Sequence, residues 1–172
     1  MLQCLGCILV VFATTSFGVS FVMKEKFRLQ DLKEVETGIL LLQNQVRYIG
    51  APLGEVMEGI GLKLNGMVGE IFARIGSDLE SRKGESGSVI WERIWMEEGR
   101  YTYLTGIDLD EIISFGKTIS FLERTGQENG LDLLLISIRT IENDLQSKMS
   151  KNQKLYGSLG VLSGLLLVVT LL

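Results

Sequence analysis

Residues 28–50 read RLQDLKEVETGILLLQNQVRYIG. Within them Leu32, Val35, Ile39, Leu42, Val46 and Ile49 recur every three or four positions. That interval returns a side chain to one face of an α-helix. The spacing predicts a helix over about 28–49 whose apolar stripe must be covered by another element. Gly50-Ala51-Pro52 closes it, because a residue before proline is pushed away from helical geometry.

Upstream the stripe meets no helix breaker and runs into charge-free sequence. Leu2 to Met23 holds no charged residue, nor does Leu155 to Leu172; the 17 Lys and Arg and the 21 Asp and Glu all lie between Lys24 and Lys154. As helices the two runs would extend roughly 33 Å and 27 Å, against a hydrocarbon core about 30 Å thick. The expected layout is a transmembrane helix at 2–23, a polar domain at 24–154 and a second transmembrane helix at 155–172.

Lys24, Lys26 and Arg28 follow the first run, and Lys148, Lys151 and Lys154 precede the second. Basic residues gather on the cytoplasmic side of membrane spans. The domain is therefore expected in the cytoplasm with both termini outside. A signal peptide is disfavoured, because no basic residue precedes the apolar run and basic residues replace a cleavage site after it.

Downstream, Pro52 suits the first turn of a short helix to about Ile60, broken by Gly59 and Gly61. Asn65 is expected to cap a helix to about Ser81, with Val68, Ile71, Phe72, Ile75 and Leu79 on its apolar face and Gly66, Gly69 and Gly76 weakening it. After the loop at 83–87, Ser88 is expected to cap a short helix carrying Val89, Trp91, Ile94 and Trp95, ended by Glu97-Glu98-Gly99. Asp108 and Glu111 have the spacing of a capping pair opening a helix that faces Leu109, Ile112, Gly116, Ile119 and Leu122 inward. The stretch 126–130 is turn-rich. Leu131, Leu134, Ile138, Ile141, Leu145 and Met149 then define a last helix with no breaker before the second run. The fold class expected is all-α, a small helical bundle between two transmembrane helices that continue into its first and last helices.

The composition excludes several chemistries. The chain has no histidine, hence no imidazole base or Ser-His-Asp apparatus. A net charge of −4 offers no basic footprint for nucleic acid. Gly116-Lys117-Thr118 matches the tail of a phosphate-binding loop, but Glu111 stands where that loop needs its first glycine. Cys4 and Cys7 share a helical face inside the first apolar run and read as small apolar residues. No catalytic residue, metal ligand or cofactor is expected. The acidic residues Glu97, Glu98, Asp108 and Glu111 are the candidate partner-binding residues. Gly160 and Gly164, four apart in the second run, have the spacing of a close helix–helix contact and of self-association.

Taken in order, a set of motifs resembles the stage III sporulation protein AB family of endospore-forming bacteria. They are Arg28-x-x-x-Leu32, Leu42-x-x-Gln45-Val46-x-Tyr48, Pro52-Leu53-x-Glu55, Trp95, Leu104-Thr105, Phe115-Gly116-Lys117-Thr118, Gln127, and the terminal Leu155-Tyr156-Gly157-Ser158-Leu159-Gly160-Val161-Leu162-x-Gly164. The chain departs from the pattern at Gln45 and Ser120. The resemblance implies a secretion-like complex at the mother-cell membrane around the forespore. It also implies a soluble domain similar to type II secretion and type IV pilus platform proteins, a cytoplasmic secretion-type ATPase as partner, and further membrane components beside it. The reading that follows is a non-enzymatic membrane platform that docks this ATPase. Two rivals are a two-span signal-transducing adaptor and a membrane-bound enzyme using carboxylates. Neither a sensor segment nor a nucleophile–base pair is visible for them.

Overall fold

The computed structural model describes residues 23–45, 52–81, 84–116 and 131–150. Among these residues there are six α-helices, one 3-10 turn and no strand. The helices are α1 (23–45), α2 (Leu53–Gly61), α3 (Gly66–Glu80), α4 (Gly87–Glu98), α5 (Gly106–Ser114) and α6 (131–150), with the 3-10 turn Gly99–Tyr101 after α4. Phe27–Glu142 forms one compact unit. Residues 23–26 and 143–150 belong to a second, in which Lys148 reaches Asp144 at 2.6 Å, one helical turn away.

The stripe on α1 is buried as its spacing requires: Leu32, Val35, Ile39 and Leu42 have no accessible surface. Val46, Tyr48 and Ile49 lie outside the described residues. Pro52 sits at the N-cap of α2, where its missing N–H costs nothing. α2 runs through Gly59 and ends at Gly61.

α2 and α3 run antiparallel and touch through two pairs of glycines. A Cβ on Gly54 would meet the Gly76 oxygen at 3.1 Å, and one on Gly76 would meet Glu58 N at 2.4 Å and Gly54 O at 2.7 Å. One turn-pair further, a Cβ on Gly61 would meet Gly69 O at 2.7 Å, and one on Gly69 would meet Gly61 O at 3.0 Å. The glycines are seven residues apart on each helix, so each pair stands on the same face, two turns from the other. Gly69 and Gly76 thus do more than weaken α3: their missing side chains let two backbones meet. Gly66 opens α3 at φ +62°, a conformation glycine adopts without strain.

α3 passes the chain to an aromatic core. The Phe72 ring meets Trp91 edge-on at 5.8 Å and Trp95 at 6.4 Å, and Trp91 lies 5.6 Å from Phe115. Both tryptophans are fully buried, as expected for core residues. Ile90 shares that burial, whereas Val89 faces outward. The Trp91 Nε1–H donates to the Ile112 carbonyl at 2.8 Å and ties α4 to α5. Gly116 is buried at their crossing, where a Cβ would meet Trp91 Cδ1 at 3.0 Å. Its role is close packing.

The helix starts differ from expectation in three places. Asn65 holds the N-cap position of α3 but makes no side-chain cap; its Nδ2 and its N–H both donate to Glu34 of α1, at 3.1 Å. The N-cap of α4 is Ser86, and its hydroxyl lies 3.0 Å from that of Ser88. Asp108 does not open α5. Thr105 does, and Asp108, the third residue of the helix, completes the capping box. On α6, Leu131, Leu134, Ile138 and Leu145 are buried, and Ile141 and Met149 are half-buried.

Among the described residues no helix is long and apolar enough to cross a membrane. The apolar runs expected to do so, up to Val22 and from Leu155, lie outside the described residues, as do Ile119, Leu122 and the turn at 126–130.

The α2–α3 contact separates two otherwise similar glycines. Gly76→Ala drives a methyl into backbone and should lower stability by about 1–3 kcal/mol. Gly59→Ala, with nothing within 4 Å of the added Cβ, should raise it by about 0.5–1 kcal/mol through helix propensity. Urea unfolding followed by circular dichroism checks both signs.

Candidate functional site

Several polar contacts of the main unit stand where other elements meet α1. Near its start, Arg28 donates from Nε to Asp108 Oδ2 at 2.8 Å and from Nη2 to Oδ1 at 2.9 Å. This is the two-pronged geometry that suits a guanidinium to a carboxylate. The Thr105 N–H and hydroxyl each donate to the same Oδ2 at 2.7 Å. Asp108 is 1% exposed. Burial alone would push its carboxyl up. The Arg28 guanidinium and the two Thr105 donors outweigh that and hold it below the usual carboxylate range.

One turn along α1, Asp31 accepts the Tyr103 N–H at 2.7 Å, and the Phe27 and Tyr103 rings stack at 4.8 Å. Burial pushes the Asp31 carboxyl above its ordinary value. The Tyr103 N–H opposes that, and nearby Glu34 adds to it.

Toward the other end of α1 the partner is α6. Arg139 Nε donates to Glu36 at 2.5 Å, and Gln43 Nε2 donates to Asp132 at 2.7 Å. Glu142 is buried near Glu36 and Arg139, and its Oε1 has no hydrogen-bond partner among the described residues. Burial raises its pKa and Glu36 raises it further, while Lys33 and Arg139 pull the other way.

The four acidic candidates do not form one surface. Asp108 is inside the fold, committed to Arg28 and Thr105, so it is a structural residue and not a docking contact. Glu97 and Glu98 share Arg74 of α3; the Glu97 contact is 3.3 Å, and the Glu98 carboxylate bonds the other guanidinium nitrogen. Two carboxylates around one guanidinium leave this corner acidic. Glu111 is half-buried on α5, apart from any ion pair among the described residues. No group of three or more candidate metal ligands occurs among the described residues.

Of the motif residues, Pro52 is at the N-cap of α2, Leu53 begins it, Trp95 is fully buried and Gly116, two residues past α5, packs against Trp91 and Ser88 of α4. Tyr48, Lys117, Gln127, Gly160 and Gly164 lie outside the described residues. The reading by spacing missed the Arg28–Asp108 pair. Its two halves are 80 residues apart, and Arg28 sits in a basic run that reads as membrane-flanking charge. The one local signal was Thr105-x-x-Asp108, an N-cap hydroxyl with an acid three residues on.

The model of the family described as stage III sporulation protein AB matches residues 3–172. A protein of that description from Bacillus subtilis (strain 168) is 26% identical over 172 residues, covering the whole of both chains. A solved structure of stage III sporulation protein AB (SpoIIIAB) superposes with a TM-score of 0.66. It covers 72% of this chain and 97% of its own at 18% identity, and so supports the fold.

Arg28→Ala leaves the Asp108 carboxylate buried without its cation and should cost about 3 kcal/mol. Arg28→Lys should recover only part, since an ammonium cannot meet both oxygens as the fork does. Because the fold holds the Asp108 carboxyl low, its stabilisation is complete above the unfolded pKa near about 3.9. It is lost as pH falls through the folded value, and Asp108→Asn should abolish that loss. Urea midpoints across an acid pH series provide the check.

Glu142 carries the opposite sign. Its folded pKa is raised, so the fold prefers the protonated form and gains stability as pH falls through that raised value. Glu142→Gln should stabilise the protein at neutral pH, and the advantage should shrink on acidification. Thermal melts at neutral and mildly acidic pH test this.

Proposed function

The chain belongs to the stage III sporulation protein AB family, and from that premise we propose that it is a non-enzymatic platform of a secretion-like sporulation complex. It is a two-pass protein of the mother-cell membrane around the forespore. Its helical domain lies in the cytoplasm, its termini lie outside, and a cytoplasmic secretion-type ATPase docks on the domain. The observation that carries the reading is the family match from residue 3 to residue 172. That match takes in both charge-free runs together with the helical middle. The basic flanks at Lys24, Lys26, Lys148, Lys151 and Lys154 support the orientation. Further membrane components of the complex, lipids, and a second copy through Gly160 and Gly164 are the other partners.

The non-enzymatic reading rests on the sequence, which has no histidine and no complete phosphate loop. For docking, the acidic corner at Glu97 and Glu98 and the half-buried Glu111 replace the four-residue cluster, now that Asp108 is assigned to the core. An acidic helical surface meets a basic partner with strong salt dependence.

Charge reversal at Glu97, Glu98 and Glu111 together should weaken ATPase recruitment severalfold, and more at low salt than at high salt. Helicity should be unchanged. Asp108→Lys should instead unfold the domain. The measurement is co-purification of the ATPase with the detergent-solubilised chain, paired with circular dichroism. Undiminished recruitment by a folded triple variant would remove the acidic corner from the docking surface. ATP turnover by the pure chain, lost on Lys117→Ala, would replace the platform with an enzyme.

A further inference from the structure

Tyr101, Tyr103 and Ile107 form an aromatic and aliphatic group that the fold leaves uncovered; they are 59%, 50% and 78% exposed. Both rings are nevertheless held. The Arg100 guanidinium lies 4.8 Å from the centre of the Tyr101 ring, and its Nη2 donates to the Tyr101 hydroxyl at 2.9 Å. Tyr103 stacks on Phe27 at 4.8 Å, and its N–H donates to Asp31. The segment is also drawn together around α5. Gly99 sits against that helix, where an added Cβ would meet Leu109 Cδ2 at 2.7 Å, and Asp108 in its first turn binds Arg28.

A surface ring normally loses side-chain freedom when a partner covers it, and that loss weakens binding. Here the fold itself restrains the rings, so covering them costs less. Exposed apolar groups with a polar rim mark protein contact sites, and tyrosine is among the residues that carry most of the energy at such sites. The rim of this group is acidic. Glu98 directly precedes Gly99 and, with Glu97, shares Arg74. Asp110 and Glu111 follow Ile107 by three and four residues on α5, which places them on its side of the helix. Neither enters an ion pair among the described residues. These carboxylates outnumber Arg74 and Arg100, and Arg100 is turned onto the Tyr101 ring. The complementary surface is apolar at its centre and basic at its edge.

We propose that Tyr101, Tyr103 and Ile107 are the anchor by which the domain holds its protein partner, filling an apolar pocket rimmed by lysine or arginine. The acidic rim speeds encounter, and the held rings set how long the complex lasts. This rests on the docking reading given above and assigns the pocket to the ATPase of that reading. It gives the holding energy to apolar residues and leaves the carboxylates to steer.

The test immobilises the full chain in detergent micelles and passes the purified ATPase over it at low and high salt, so that association and dissociation rates are read separately. Each variant is first matched to the wild type by circular dichroism. Tyr101→Ala with Ile107→Ser should speed dissociation about tenfold or more and change association little. Ile107→Ser alone should show part of that effect. Asp110→Asn with Glu111→Gln should slow association severalfold at low salt, flatten its salt dependence and change dissociation little. Leu62→Ser, at an exposed apolar residue just after α2, should change neither rate. If the ATPase binds and Tyr101→Ala with Ile107→Ser dissociates at the wild-type rate, the anchor is overturned and docking stands. If the ATPase does not bind the wild-type chain, docking is overturned and the anchor with it. Equal acceleration by Leu62→Ser would show that the effect does not belong to this group of residues, and would overturn the anchor too. Sedimentation of the chain without ATPase adds one more outcome: self-association that Ile107→Ser abolishes would give the surface to a second copy and overturn the assignment.

Discussion

Burial of one face of α1 is the constraint to which the other helices answer. Leu32, Val35, Ile39 and Leu42 are wholly covered, and the polar residues between them reach the other elements. Arg28 and Asp31 hold the segment before α5 and its first turn, Glu34 holds the start of α3, and Glu36 and Gln43 hold α6. Even the glycine on this helix serves contact: a Cβ on Gly38 would meet the Phe72 ring at 2.7 Å. A single helix thus supplies both an apolar face and the polar contacts that hold α6, the start of α3 and the first turn of α5. An unpaired charge on its stripe, such as Leu42→Asp, would set several kcal/mol of desolvation against a total stability of about 5–15 kcal/mol.

The main unit uses two modes of packing. Around Phe72, Trp91, Trp95 and Phe115 it fills space with large rings at edge-on angles. Between α2 and α3 it removes side chains until backbone meets backbone. The first mode buries much apolar area and tolerates some repacking. The second admits no added atom, because the obstacle is a main chain that cannot rotate aside. Errors in the aromatic region should loosen the domain, whereas errors in the glycine pairs should separate two helices.

Much of this was legible in the sequence. The stripe on α1, the boundary at Pro52, the burial of Trp91 and Trp95 and the stripe on α6 follow from period and from the stiffness of proline, both local properties. The misreadings share a cause. Asp108 can lie at a cap or three residues inside a helix, and only the position of Thr105 settles which. Asn65 stands where a cap should be, but a carboxylate on a distant helix, Glu34, competes for its amide. Gly69 and Gly76 weaken a lone helix, yet opposite Gly61 and Gly54 they become its contact. Among the candidate docking residues, Glu97 and Glu98 are at the surface and Asp108 is not. Local spacing cannot tell an acid facing water from one facing an arginine 80 residues away.

That separation has a consequence in time. A ribosome adding about 5–20 residues per second makes Asp108 roughly 4–16 s after Arg28. In that interval the guanidinium of Arg28 counts with Lys24 and Lys26 in the charge that follows the first apolar run. Once Asp108 and Thr105 are made, the same guanidinium is drawn into the fold. One side chain thus passes from being one of three closely spaced positive charges on the growing chain to being a latch that closes the finished domain.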